Sequence, residues 1–148
     1  ACDINEPVLD IARGKGLPAS SVTFRAADAF NLQAVPGDFD AAFAGFWWSH
    51  VTHEQGQRFL RGLAERLPAG ATVAMLDNRY VPGSSTPIAR RDAEGNTYQV
   101  RPLLSGETHE ILKNFPTADE LRAALLPFAR RATLEETRHF WLVHFQLK

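Results

Sequence analysis

The sequence predicts an α/β layered fold with a mostly parallel sheet and a C-terminal antiparallel strand pair. Apolar runs of strand length alternate with amphipathic runs of helix length, which is typical of this fold class. The last two β-rich runs follow each other with no helix between them, which indicates an antiparallel pair. With 148 residues the chain is expected to form a single domain, residues 1–148.

The first third of the chain predicts one helix and two strands. The helix covers residues 5–13, because Asn5 can cap it and Gly14 follows its end. Alternating apolar and polar residues predict a strand over residues 22–28. A nearly continuous apolar run over residues 40–48 is typical of a strand that is covered on both faces.

The remaining regular elements are two helices and three strands. Apolar residues at helical spacing predict a helix over residues 52–67, and a buried strand follows within residues 71–80. A capping box predicts the start of a second helix, over residues 117–128. Two β-rich runs, residues 132–140 and 141–148, complete the chain and form the predicted antiparallel pair.

Residues 81–114 differ in character from the rest of the chain. They are rich in proline, glycine and serine, and they contain only weak strand-like stretches, at residues 98–103 and 109–114. A connection of this length inside a compact domain is usually functional or disordered.

Composition argues against several classes of partner. The chain has 16 basic and 17 acidic residues, so it offers no excess charge for nucleic acid or an anionic membrane. No apolar run approaches the ~18 residues of a membrane span. The single cysteine, Cys2, cannot form an internal disulfide, which favours a cytoplasmic location. No metal site is expected, because His50 and His53 have no obvious third ligand nearby.

Acidic residues recur at the ends of the predicted strands. In open parallel sheets, ligands bind beyond the carboxyl ends of the strands, and Asp3, Asp28 and Asp77 lie at such ends. A carboxylate there can accept hydrogen bonds from a ribose diol or an adenine amino group. Each acid taken alone is also explained as the cap of the following turn.

The ordered series of motifs resembles the class I S-adenosylmethionine-dependent methyltransferases. The series consists of CDINEPVLDIAR, VTFRAADAFNL, FDAAFAGFWWSHV, LAERLPAGATVAMLDN and HFWLVHFQLK. It covers nearly the whole chain. The resemblance implies a Rossmann-like, doubly wound fold, S-adenosylmethionine as cofactor, and methyl transfer to a small molecule.

The resemblance assigns cofactor-binding roles to residues at three strand ends. It implies that Asp3 holds the ribose hydroxyls and that Ile4 packs on the adenine. Asp28 would accept from the adenine amino group. Two groups of neighbouring residues complete the set, with Ala29 and Phe30 bordering the adenine, and Gly45, Phe46 and Trp47 lying near the methionine part of the cofactor.

The segment that follows the predicted strand over residues 40–48 also contains the candidate catalytic base. His50 is the best candidate for a catalytic base, although a histidine beside a helix start often only caps or packs. Trp47 and Trp48 are adjacent, so on a strand they face opposite sides, and one of them can line the pocket. Trp48 is therefore a candidate for substrate binding, and the alternative is that both rings belong to the core.

The family places variable substrate-binding elements in the region that corresponds to residues 79–114. The segment 81–114 is therefore expected to form an insertion or cover on the substrate side. Candidate substrate contacts are the polar and aromatic side chains Arg79, Tyr80 and Lys113, with Arg101 and His109 as further possibilities. Solvated surface is the alternative for each of them.

The family's glycine-rich first strand and most of its second strand are missing from this sequence. Because the first strand lies between the second and the fourth in the family, its loss would leave backbone groups unpaired. Three explanations are open. The sequence is the end of a longer protein, which we favour; another copy, in a homo-oligomer, or another chain fills the gap; or the sheet is paired differently.

Two other functions compete with methyl transfer. A catalytically inactive binding or assembly module would keep the fold and lose the glycine-rich turn. A nicotinamide-dependent oxidoreductase also places an acid after its second strand to bind ribose. The acid at Asp28 and the final strand pair fit the methyltransferase better.

Overall fold

The chain divides into two compact units. The structure is a computed structural model and describes all residues, 1–148. Unit 1 spans Ala1–Asp38 and unit 2 spans Phe39–Lys148.

Unit 1 contains one helix and a two-stranded parallel sheet. Helix α1, Glu6–Arg13, lies where it is predicted, with proline in its first turn and the side chain of Leu9 buried on its inner face. The predicted cap is not formed, because the side chain of Asn5 makes no capping hydrogen bond. Strand β1, Cys2–Asp3, pairs in parallel with β2, Arg25–Ala26. The predicted strand over residues 22–28 is thus much shorter, because β1 provides only two residues with which it can pair.

Unit 2 holds the other seven strands and the other two helices. The strands are β3 Ala41–Gly45, β4 Thr72–Asn78, β5 Arg90–Arg91, β6 Thr97–Pro102, β7 Thr108–Leu112, β8 Ala129–Glu136 and β9 Phe140–Leu147. The helices are α2 His53–Arg66 and α3 Ala118–Leu125.

The main sheet of unit 2 is mixed, which corrects the expectation of a mostly parallel sheet. Its strand order is β3-β4-β9-β8. Only β3 and β4 are parallel; β9 runs antiparallel to both of its neighbours. Residues 137–139 are the whole connection between β8 and β9, and a parallel pair would need a crossover of about a dozen residues or more. The predicted C-terminal antiparallel pair is confirmed.

Both helices of unit 2 begin at a threonine cap and bury one face; the cap at Thr117 is predicted from the sequence, and the cap at Thr52 is not. The hydroxyl oxygen of Thr52 accepts from the backbone nitrogen of Gln55 at 3.1 Å, and that of Thr117 accepts from Glu120 at 3.2 Å. Alternate side chains of β9 are buried, and they include Trp141. No helix of the chain combines the length and the apolar composition needed to cross a membrane.

Residues 81–114 fold back into a second sheet with the order β5-β6-β7, all antiparallel. The two weak strand-like stretches of the sequence become β6 and β7. The end of β7 is fixed to the segment that follows β3. The backbone nitrogen of Asn114 donates to the carbonyl oxygen of Ser49 at 2.7 Å, and its side-chain nitrogen donates to that of Val51 at 2.9 Å. These bonds carry Lys113 to the carboxyl end of the main sheet.

Candidate functional site

The two acids of unit 1 lie at the ends of neighbouring parallel strands: Asp3 is the last residue of β1, and Asp28 follows β2 two residues after its end. Oδ1 of Asp3 accepts from the backbone nitrogen of Asn5, and Oδ1 of Asp28 accepts from that of Phe30, each at 2.8 Å. Each carboxylate thus closes a local turn, as the capping interpretation predicts. In both residues Oδ2 has no hydrogen-bond donor within the chain and is available to a ligand.

Apolar side chains accompany these carboxylates. Ile4 is 75% exposed, so its apolar side chain is accessible to a ligand. Ala29 and Phe30 are half-buried beside Asp28. Unit 1 therefore combines carboxylate acceptors with accessible apolar surface, which suits a ligand that has hydroxyl groups and a flat ring.

The end of β3 carries a residue in an unusual backbone conformation. Phe46 has a φ of 55°, in the left-handed region that favours glycine, and its side chain is 50% exposed. Its backbone nitrogen donates to the carbonyl oxygen of Leu76 at 2.8 Å, which fixes the turn after Gly45. Strained residues of this kind concentrate at functional sites.

The two tryptophans that follow occupy different environments. Trp47 is half-buried, with its ring centroid 4.3 Å from that of Phe59. Trp48 is only 8% exposed and lies against Gly56 of α2. Trp48 is therefore part of the core and presents little surface to a substrate, whereas Trp47 keeps an accessible edge.

A buried polar cluster joins the ends of β3, β4 and β7. We call Ser49, Asp77, Asn78 and Lys113 the lysine cluster. Oδ2 of Asp77 accepts from the backbone nitrogen of Ser49 at 2.8 Å, and its Oδ1 accepts from the Ser49 hydroxyl at 2.9 Å. Asp77 and Ser49 are completely buried, so these bonds replace the hydration that both groups lose on folding.

Lys113 enters this cluster from the end of β7. Its Nζ donates to the Ser49 hydroxyl oxygen at 2.6 Å and to Oδ1 of Asn78 at 3.1 Å. It also lies 3.5 Å from Oδ1 of Asp77. The ammonium group therefore has three oxygen partners, which is the full number of its donors.

His50 lies at the exposed side of the lysine cluster. Its Nε2 is 3.4 Å from Nζ of Lys113. Burial and the nearby positive charge of Lys113 lower the pKa of His50, while Asp77 opposes the change. Burial likewise lowers the pKa of Lys113, and Asp77 again acts in the opposite direction. At neutral pH the imidazole is mainly uncharged and can accept a proton.

A cleft of about 300 Å³ opens beside the lysine cluster. Its charged lining residues are Arg79, Arg101 and Lys113, and Phe115 and Phe140 provide apolar wall. No aspartate or glutamate lines it. The cleft brings two of the predicted substrate residues, Arg79 and Lys113, to one place.

The other candidate residues of this region lie elsewhere. Tyr80 lines a neighbouring cleft together with Arg79, and its ring meets Phe115 edge to face at 5.4 Å. His109 is exposed on β7, opposite Arg101 in the register with β6. No group of three or more metal-ligating side chains is close enough to hold a metal ion.

The sequence does not predict Ser49 as a site residue, and it indicates Asp77 only as an acid at the end of a strand. The available signal was the acid at the end of a buried strand. Nothing in the sequence indicates that Ser49 would be its partner, because that contact depends on the parallel pairing of β3 with β4.

Comparison with known proteins identifies the fold. No protein-family model matches the chain, and no curated protein matches it in sequence. Solved structures do match over almost its whole length. A complex of DhpI with SAH has a TM-score of 0.73 and 23% identity, and the match covers 99% of this chain. The match covers 64% of DhpI, so this chain spans less than two thirds of that protein.

Two further structures support the same assignment. SAM-bound CalS10, an amino pentose methyltransferase from Micromonospora echinaspora, has a TM-score of 0.66 and 15% identity, with 99% of this chain and 72% of CalS10 covered. A SAM-dependent methyltransferase from Methanosarcina mazei has a TM-score of 0.68 and 17% identity, with 99% of this chain and 80% of that protein covered. The chain has the fold of the class I S-adenosylmethionine-dependent methyltransferases.

Proposed function

We propose that this chain forms the greater part of an enzyme that transfers a methyl group from S-adenosylmethionine to a small-molecule acceptor. The observation that carries the proposal is the likeness to methyltransferase structures over 99% of the chain. Asp3 at the end of β1 and Asp28 after β2 support it, because each keeps one carboxylate oxygen available to a ligand.

The residues of unit 1 fit the adenosyl part of this cofactor. Oδ2 of Asp3 is suited to accept from ribose hydroxyls, and Oδ2 of Asp28 is suited to accept from the adenine amino group. The exposed side chain of Ile4 and the half-buried side chains of Ala29 and Phe30 offer apolar contact to the adenine ring.

In unit 2, considered by itself, the residues at and just after the end of β3 suit the methionine part of a methyl donor. Gly45, Phe46 and Trp47 are exposed or half-buried at the carboxyl end of a parallel pair. The exposed aromatic face of Phe46 can attract a sulfonium charge by cation–π contact. The half-buried ring of Trp47 offers further apolar contact. When bound, the cofactor supplies an electrophilic methyl group for in-line displacement.

His50 is proposed to accept the proton that the methyl acceptor releases. Its lowered pKa keeps the imidazole uncharged at neutral pH, which is the form that a base requires. Lys113 stands beside it and repels a second positive charge, so the protonated imidazole readily passes its proton to water. Residues 81–114 would cover the acceptor, because they supply one wall of the cleft.

The test is a calorimetric titration with S-adenosylhomocysteine. It is made on residues 1–148 and on the longest natural chain that contains them. The proposal expects saturable binding that is lost or greatly weakened in Asp3→Asn and Asp28→Asn. Asparagine keeps the local turn through its side-chain oxygen, but it places a donor where Oδ2 stood. The matched control is Asp38→Asn, an exposed acid of the same unit.

Two results would contradict the proposal. Absence of binding in both proteins would favour the inactive binding or assembly module. Binding of a nicotinamide dinucleotide, with no response to S-adenosylhomocysteine, would favour the oxidoreductase.

A further inference from the structure

We propose that the cleft beside the lysine cluster binds an anionic methyl acceptor, with Arg101 as the residue that recognises its oxyanion. The oxyanion is a carboxylate or a phosphate-type group. The role of the anion as methyl acceptor rests on the proposed function. The anion site itself is inferred from the charges and contacts of unit 2.

The charges around the cleft leave one cation without an acidic partner. Lys113 pairs with Asp77 at 3.5 Å, and Arg79 pairs with Glu136 at 3.0 Å. Arg101 forms no ion pair, and no acid lines the cleft. The cleft therefore carries a net positive charge that comes from Arg101, and an anion is the ligand that would neutralise it.

Arg101 is held in position by a completely buried side chain. Gln99 lies two residues earlier on β6, so both side chains project from the same face of the strand. Oε1 of Gln99 accepts from Nη2 of Arg101 at 3.0 Å, and its Nε2 donates to the carbonyl oxygen of Thr86 at 2.5 Å. Gln99 is 0% exposed.

This arrangement prepares the guanidinium group to bind a ligand. A guanidinium has five donors, and the contact with Gln99 uses one of them. The remaining donors of Arg101 suit the two oxygens of a carboxylate or phosphate, which arginine binds in a bidentate manner. Because Gln99 already restricts the side chain, binding an anion costs less conformational entropy than it would at a free surface arginine.

The rest of the lining indicates what is attached to the oxyanion. The hydroxyl groups of Ser84 and Thr86 and the imidazole of His139 add polar contacts. Phe140 provides an apolar wall, and its ring lies 6.0 Å from that of Phe46 in an edge-to-face arrangement. A small organic body on this wall would therefore contact the Phe140 ring, whose neighbour Phe46 is one of the residues proposed to bind the methyl donor.

The experiment is an NMR titration of the isotope-labelled protein, without cofactor and at constant ionic strength. The probes are sodium acetate, inorganic phosphate and acetamide. Acetamide has the shape of acetate without its charge, so it controls for size. The variants are Arg101→Gln and, as the matched control, Arg61→Gln, which removes an exposed arginine from α2.

The proposal expects saturable shifts at Gln99 and Arg101 with acetate or phosphate and none with acetamide. Arg101→Gln should weaken anion binding about tenfold or more, the loss of one charge-assisted contact. Arg61→Gln should bind as the parent does. Comparison of acetate with phosphate identifies the preferred oxyanion. Equal binding by the two variants, or no saturable binding of either anion, would overturn the proposal.

Titration of the parent and the Arg101→Gln variant with S-adenosylhomocysteine separates this inference from the proposed function. If S-adenosylhomocysteine binds both proteins equally and neither anion binds, methyl transfer stands and the anionic acceptor is wrong. If an anion binds at Arg101 but S-adenosylhomocysteine binds neither protein, the proposed function fails. The description of the anion as a methyl acceptor then fails with it.

Discussion

The ammonium nitrogen of Lys113 lies 3.5 Å from a carboxylate oxygen of Asp77, and the two side chains are 5% and 0% exposed. The hydroxyl group of Ser49 bridges them, because it accepts from the lysine and donates to the aspartate. Burying both charges is costly, and their attraction compensates only while both partners and their hydrogen bonds are present. This pair therefore fixes the end of β7 against the main sheet at a position that also lines the candidate cleft.

Removal of the lysine charge should expose this dependence. Lys113→Met leaves a buried carboxylate without its counter-charge, and we expect the free energy of unfolding to fall by about 3–5 kcal/mol. The double variant Asp77→Asn with Lys113→Met removes both charges and should recover much of that loss. Urea unfolding, monitored by circular dichroism, measures the free energy of unfolding of the single and the double variant.

A matched control is available on the second sheet. Arg90 and Glu110 form an exposed ion pair at 2.5 Å, and Arg90→Met should change stability little, because solvent screens such a pair. If Lys113→Met proved as mild as Arg90→Met, or if the double variant were no more stable than Lys113→Met, the buried pair would not have the role described.

The lowered pKa of His50 predicts a specific pH dependence of stability. In the unfolded chain the imidazole has its ordinary pKa of 6.5, whereas burial and Lys113 lower the pKa in the folded protein. Between these two values the unfolded chain binds more protons than the folded protein does. Stability should therefore fall as pH falls from about 6.5 towards the folded-state pKa.

The measurement is thermal or urea unfolding of the parent and of His50→Gln at several pH values. The parent should lose stability more steeply than His50→Gln below pH 6.5, and above it the two profiles should run parallel. His109→Gln, an exposed histidine of β7, is the control. Any pH dependence of stability that His50→Gln and His109→Gln share comes from other groups. Profiles of the parent and His50→Gln that stay parallel at every pH would contradict the prediction.

The contact between Trp48 and Gly56 predicts a cost for a substitution that would usually stabilise a helix. A Cβ atom at Gly56 would lie 2.9 Å from the Cη2 atom of the buried Trp48 ring. Gly56→Ala should therefore destabilise the protein by about 1–3 kcal/mol through overpacking. This overpacking cost would offset the gain of about 1 kcal/mol in stability that replacing glycine by alanine normally gives inside a helix.

Urea unfolding of Gly56→Ala, of Trp48→Phe and of the double variant measures this coupling. The smaller phenylalanine ring provides room for the new methyl group, so the double variant should lose less than the two single variants together. Strict additivity would mean that the ring of Trp48 does not pack on the helix. It would then again be a candidate for substrate binding.

The sequence by itself determined the regular elements and the places where ligand chemistry is concentrated. The capping box at Thr117 and Glu120 fixes the start of α3 through bonds between residues three apart, so local sequence suffices to predict it. The acids Asp3 and Asp28 could likewise be located, because each follows a short extended segment and closes its own turn. Such features depend on neighbours in the chain.

Only the tertiary structure decided which distant residues meet. Ser49 and Lys113 are 64 positions apart, and they touch because β6 and β7 return the chain to the end of β3. The direction of β9 beside β4, which makes the main sheet mixed, also depends on pairing between strands far apart in sequence. The spacing of apolar residues predicts that one face of a helix or strand is buried. It does not predict which other segment of the chain covers that face. The polar cluster and the cleft therefore could not be derived from the sequence, although Lys113 and Arg79 could be named as candidates.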